Sequence, residues 1–249
     1  MKTIAVIPAR YDSTRFYGKP LADICSRPMV WWVYNQLKKS KRLDMVYVAT
    51  DSQRVADACN QYGMQYVLTG EDIKTSTERV YEAALKIPGD LYVCVNGDEP
   101  LIRPEVVEKV IPQSLDGFFA ANLMTKIHSP AEAVDNTNIK VAFNDNMEAV
   151  FMSRSPIPYP KASLDFDYYK HLGVLCYTME ALRFFAATPK GRCEAAEDIN
   201  ELRFIENSKK LKMVMAENAG TLSVDTPKDL EYVKAVIAEK IERGELDVH

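Results

Sequence analysis

Short apolar runs alternate with segments of helical period along the first half of the chain. Residues 3–7 form an apolar run that predicts a buried strand. Residues 29–39 repeat apolar positions at helical spacing, and Pro28 suits the start of that helix. Trp31 and Trp32 fall inside it, and two adjacent indoles are not expected to face one core together. Residues 45–49, 65–68, 91–95 and 118–124 predict further strands. Between them, Ser52 reads as the cap of a helix whose apolar face is Val55, Ala56 and Cys59. Residues 77–85 and a segment opened by Pro104 predict two more helices. Strands separated by helices argue for an α/β fold with a doubly wound, mostly parallel sheet.

The pattern changes after Thr125. Residues 139–143, 147–152 and 171–178 are strand-like, with Asn144-Asp145-Asn146 as a hairpin turn. Residues 155–160 hold three prolines and resist regular structure. Residues 126–178 therefore read as an antiparallel insert or edge, a place for a substrate wall or a dimer contact, within one domain spanning 1–249. Helices are expected over 179–187 and 195–207, a strand over 212–216, and a last helix over 227–242 capped by Thr226.

Composition narrows the function classes. The chain has 249 residues, 47% hydrophobic, enough for a sizeable core. A net charge of −4 argues against a broad nucleic-acid footprint and suits a local basic pocket for a small anion. The five cysteines are odd in number and lack Cys-x-x-Cys spacing, which argues against a zinc site and suits a reducing cytoplasm. Neither a secretory leader nor an apolar run of membrane-spanning length is expected.

Candidate chemistry begins at Pro8-Ala9-Arg10-Tyr11-Asp12-Ser13-Thr14-Arg15-Phe16-Tyr17-Gly18-Lys19-Pro20. This stretch follows the first strand, at the end where open α/β sheets bind ligands. Its three cations, two hydroxyls and one glycine can hold a polyphosphate. It is neither a Walker loop nor Gly-x-Gly-x-x-Gly. The run 91–95 ends in Asn96-Gly97-Asp98-Glu99-Pro100, and Val224-Asp225-Thr226-Pro227 supplies a second strand-end aspartate. Each is also a reasonable polar turn or helix start. Since Thr226 can do the capping, Asp225 is not needed for it. Two such carboxylates beside a cationic loop match a magnesium-nucleotide site, because magnesium takes one or two protein carboxylates and completes its shell with phosphate and water.

Taken in order, Pro-Ala-Arg-x-x-Ser-Thr-Arg-x-x-Gly-Lys-Pro, Gly-Asp-Glu-Pro, Lys170-His171-Leu172-Gly173 and Val-Asp-Thr-Pro-x-Asp-Leu resemble the 3-deoxy-manno-octulosonate (Kdo) cytidylyltransferases, or CMP-Kdo synthetases. The likeness runs from Ile4 to about Val233. It implies a Rossmann-like fold and a homodimer that condenses CTP with an acidic ulosonic sugar, giving a CMP-sugar and pyrophosphate. By position it implies phosphate contacts from Arg15 and Lys19, and magnesium on Asp98 and Asp225. Pro8, Ala9, Arg10 and Ser13 would line the nucleotide site, with Thr75, Ser76 and Arg79 in the base-side loop and Asn96 between nucleotide and sugar. Lys170, His171, Tyr177, Glu194, Glu197 and Glu201 would face the sugar. Outside that register, a lone histidine on a strand is more often a surface or core-edge residue.

Several positions depart from the family pattern. The base-side loop lacks the usual histidine and glycine, Asn96 replaces a glutamine, Leu175 a tyrosine, and Asn200-Glu201 the usual Glu-Gln. Most changes fall on the sugar side, so the reaction type is the firmer expectation. An amine-bearing sugar such as 8-amino-Kdo, a nonulosonate, or a sensor without turnover stay open as alternatives.

Overall fold

The computed structural model describes residues 1–12, 16–162, 166–217, 219 and 222–247. The strands are β1 (Thr3–Pro8), β2 (Asp23–Ile24), β3 (Arg27–Pro28), β4 (Met45–Thr50), β5 (Tyr66–Leu68), β6 (Leu91–Val95), β7 (Ala120–Lys126), β8 (Lys140–Phe143), β9 (Ala149–Ser153), β10 (Tyr169–Thr178) and β11 (Leu211–Met215). The helices are α1 (Met29–Lys38), α2 (Gln53–Gln61), α3 (Ser76–Lys86), α4 (Pro104–Val107), α5 (Pro130–Val134), α6 (Met179–Ala187), α7 (Arg192–Glu197), α8 (Leu202–Glu206) and α9 (Pro227–Glu242).

The main sheet runs β11-β7-β10-β6-β1-β4-β5, with β8 and β9 joined to it through β10. Strand β1 pairs in parallel with β4 on one side and β6 on the other. The chain thus winds outward to β5 and returns across β1, which opens a crevice at the carboxyl ends of β1 and β6. The two ends lie so close that a Cβ on Gly97 would sit 3.1 Å from the Pro8 carbonyl oxygen. Every residue of β6 is buried, as the unbroken apolar run requires of a strand covered on both faces. Along β1 the pleat sends Ala5 and Ile7 into one apolar cluster and Ile4 and Val6 into the other.

Three expectations change. The segment 126–178 does contain an antiparallel hairpin, β8–β9, but its last strand is not at an edge. Strand β10 runs antiparallel between β6 and β7, inside the main sheet, because its apolar residues have neighbours on both sides. Both indoles of α1 are buried, at 5% exposure for Trp31 and 2% for Trp32. The β2–β3 hairpin covers the outer side of the helix, and Trp32 Nε1 donates to the Ile24 carbonyl at 2.9 Å. The helix expected over 195–207 is two short helices. Asp198 adopts φ 53°, a left-handed conformation open to aspartate, and this break lets Ile199 turn into the core. Helix α9 has the expected bounds and the Thr226 cap.

Candidate active site

Lys19 follows Gly18, whose φ of 71° sharply turns the loop back beneath the strand ends. The Lys19 ammonium donates to Asp98 Oδ2 at 2.6 Å and to Asp225 Oδ1 at 3.3 Å. Asp98 lies just past β6 and Asp225 just before α9, 127 positions apart, reckoned as 225 − 98. A main-chain bond joins them: Val224 N–H donates to the Asp98 carbonyl at 2.9 Å. Thr226 and Asp229 form a capping box at the start of α9, so the Asp225 carboxylate is not used as the cap. The three charged side chains keep 13%, 24% and 33% of their surface in the order Lys19, Asp98, Asp225. They are shielded, yet a solute can still reach them.

Neighbouring Glu99 behaves differently. It is buried, accepts a hydrogen bond from the Ser223 hydroxyl, and has no partner for Oε2 among the described residues. Burial, then the charge of Asp98, pushes its pKa up to about 8. Glu99 is therefore protonated at neutral pH and adds no third negative charge to the pair. Two hard carboxylates converging on one cation are a donor set that fits magnesium.

The nucleotide side is partly as expected. Pro8 ends β1 and Arg10 is exposed beside the crevice. Ala9, however, is buried, its N–H donates to Ala49 O and its carbonyl accepts from Thr50. Its backbone fastens β1 to β4 and is not presented to a ligand. Ser13 and Arg15 lie outside the described residues. Thr75 caps α3 in a capping box with Glu78, and Ser76 opens the helix. Arg79 is not an open contact: it is 2% exposed and is held by Asp51 at 2.8 Å, by Thr69 and by the Ile73 carbonyl. It braces the base-side loop against β4 instead.

On the sugar side, Asn96 and Gly173 are pressed together. Asn96 N–H donates to the Gly173 carbonyl at 3.0 Å, and a Cβ on Gly173 would come within 2.5 Å of Asn96 Nδ2. His171 accordingly projects beyond the carboxyl end of β6, where Val174 pairs with the last residue, Val95. Burial lowers its pKa to about 4, with the Arg154 charge adding to the effect, so the ring is neutral. Lys170 is engaged by Glu132 and by Asn138.

Four sugar-side expectations are corrected. Tyr177 is fully buried in the sheet's inner apolar cluster, with its hydroxyl 3.3 Å from Thr77 Oγ1. Glu194 is 0% exposed and both its oxygens hold Arg203, at 2.7 and 2.6 Å. That guanidinium also caps the Phe185 and Thr188 carbonyls. Glu197 accepts from the Ser153 hydroxyl and the Arg154 N–H, which fixes α7 to the end of β9. Glu201 is buried, and burial pushes its pKa up to about 7. It lies near enough to Cys94 and Tyr177 to raise both of their pKa values.

Asn122 joins the site without a motif to mark it. It is 0% exposed on β7, and its side chain joins His171 to two carbonyls of β10. A single amide within the apolar run 118–124 was the available signal, since a buried amide needs partners.

The family model described as cytidylyltransferase matches residues 4–211. The chain is 36% identical over 244 residues to the 8-amino-3,8-dideoxy-manno-octulosonate cytidylyltransferase of Shewanella halifaxensis (strain HAW-EB4), covering 96% of this chain and 99% of that protein. It is 36% identical over 242 residues to the 3-deoxy-manno-octulosonate cytidylyltransferase of Escherichia coli, covering 96% and 98%. A solved CMP:2-keto-3-deoxy-manno-octonic acid synthetase complexed with CTP superposes with a TM-score of 0.90 at 36% identity, covering 96% of this chain and 100% of that one. With a match of this length and its strand-end aspartates gathered on Lys19, the chain belongs to the cytidylyltransferase family of nucleotidyltransferases.

Proposed function

We propose that the protein condenses CTP with an eight-carbon acidic ulosonic sugar, Kdo or its 8-amino analogue, and releases pyrophosphate. The observation that carries this reading is the meeting of Asp98, Asp225 and Lys19 at the β1–β6 crevice. Relatives named for one sugar or the other are similar over nearly the whole chain. The product would serve lipopolysaccharide or a related surface polysaccharide, made in the cytoplasm.

The reaction is attack by the sugar's anomeric hydroxyl on the α-phosphorus, with pyrophosphate leaving in line. Asp98 and Asp225 would hold magnesium, which neutralises phosphate charge and lowers the pKa of a bound hydroxyl. Lys19 stabilises charge that grows on the departing pyrophosphate. The crevice walls orient the two substrates, which is most of what such chemistry asks of a protein. Arg15 is expected to assist Lys19, and Asn96 to divide nucleotide from sugar. A second copy of the chain is the expected partner; exposed Val134, Tyr159 and Phe166 in the 126–178 segment support that contact.

A second reading names the 8-amino sugar as the preferred acceptor. The likeness to the 8-amino-3,8-dideoxy-manno-octulosonate cytidylyltransferase of Shewanella halifaxensis, 36% identical over 96% of this chain, supports it. Pyrophosphate release from CTP, with Kdo, 8-amino-Kdo and a nonulosonate offered separately, tests both readings. Release with either octulosonate is expected. Release with the nonulosonate alone would overturn the proposal, and CTP binding without any release would make the protein a sensor.

A further inference from the structure

Strands β7 and β10 lose register in one place. His171 pairs with Met124 and Leu175 with Asn122, so β10 carries two more residues than β7 between those points. A bulge of this kind leaves main-chain groups without ladder partners. Here the Asn122 side chain supplies them: its Nδ2 donates to the Leu172 carbonyl at 2.9 Å and to the Val174 carbonyl at 3.0 Å. Those two bonds use both amide hydrogens and fix the orientation of the group, because a flipped amide would set its oxygen against two carbonyl oxygens. Oδ1 is then left facing His171 Nδ1 at 2.7 Å. Since Oδ1 can only accept, Nδ1 must carry the hydrogen. The ring is neutral, so Nε2 holds a lone pair, and it has no hydrogen bond among the described residues. His171 is half-buried, past the end of β6.

We propose that Asn122 is a positioning residue that locks His171 as the Nδ1–H tautomer, so that Nε2 accepts a hydrogen bond from a hydroxyl of the acidic sugar. This rests on the sugar-binding reading above. His171 thereby serves as a specificity group for a hydroxyl and makes no ion pair with the sugar carboxylate.

Imidazole nitrogen NMR on protein labelled at histidine tests it. The chain has three histidines, and a His171→Gln variant assigns the relevant signals. Without sugar, the expected result is a pyrrole-like Nδ1 and a pyridine-like Nε2 for His171. An Nε2–H tautomer or an imidazolium at neutral pH would overturn the proposal. Asn122→Leu should shift the ring toward Nε2–H and raise the KM for Kdo or 8-amino-Kdo about tenfold, leaving the KM for CTP unchanged. If that variant does not fold, Kdo titrated into the wild-type protein with a CTP analogue decides the matter. Movement of Nε2 alone supports an accepted bond, and conversion to imidazolium refutes it. Failure of every octulosonate to react, with the Nδ1–H tautomer intact, would instead sink the proposed substrate, because the tautomer is read without sugar.

Discussion

Two acidic regions of this molecule look alike in sequence and are built for opposite ends. At the strand ends, Asp98 and Asp225 share one ammonium and keep part of their surface in solvent. On α7 and α8, Glu194 and Arg203 form a bidentate pair at 0% and 5% side-chain exposure, and the guanidinium also meets the Phe185 carbonyl and ring and, at 3.8 Å, Glu78. In the first region an incoming cation or phosphate can replace an internal partner. In the second, removal of Arg203 leaves the buried Glu194 carboxylate alone, and removal of Glu194 leaves the guanidinium only the longer contact to Glu78 at 3.8 Å. A carboxylate is therefore read as functional from the exchangeability of its partner, and only secondarily from its charge.

The largest effect should come from removing that exchangeable charge. Asp98→Asn and Asp225→Asn should each abolish magnesium-dependent pyrophosphate release, a loss of at least roughly 10²–10³-fold, with the melting temperature nearly unchanged. Either variant turning over normally would erase the distinction between the two regions. Lys19→Ala should slow turnover by about 10²–10³-fold, or about 2.7–4 kcal/mol of barrier. Its thermal unfolding should shift far less, since the ammonium sits on a loop and keeps some solvent contact. A large drop in melting temperature would make Lys19 a structural residue, of the same kind as Arg203.

The opposite test bears on the closed region. Glu194→Ala should cost about 3–5 kcal/mol of stability, as expected when one partner of a buried pair is deleted. Turnover per folded molecule should hold. Denaturant unfolding and rates normalised to folded protein separate the two quantities. A variant that is stable but inactive would restore Glu194 to the sugar site.

How far the sequence foretold this division follows from the physics of each element. Strand β6 was legible because burial on both faces demands an unbroken apolar run. Asp98 and Asp225 were legible because each follows or precedes a clear element, with Thr226 visibly able to cap α9. Glu194 was not, because the pattern of a helix does not disclose that Arg203 will fold back onto it. That return depends on the left-handed turn at Asp198, which aspartate permits and does not require. Arg79 was misjudged for the same reason: its partner Asp51 lies 28 positions away, on another strand end. The β10 bulge was also invisible, since two extra residues leave the apolar content of a strand intact.

Glu201 gives the smallest expected effect and the sharpest line between the regions, because it stands between them. It is 6% exposed, like Glu194, but no cation is bonded to it in the described contacts. Burial raises its pKa from 4.5 to about 7, so the folded protein holds this proton more tightly than the unfolded chain. The stability it contributes is therefore full below pH 4.5 and is lost as pH rises through about 7. Glu201→Gln keeps the shape of the protonated acid and cannot ionise. Its melting temperature should change less than that of the parent across this window, with the advantage to the variant on the alkaline side. Parallel curves would mean that Glu201 is already charged and balanced, as the strand-end aspartates are.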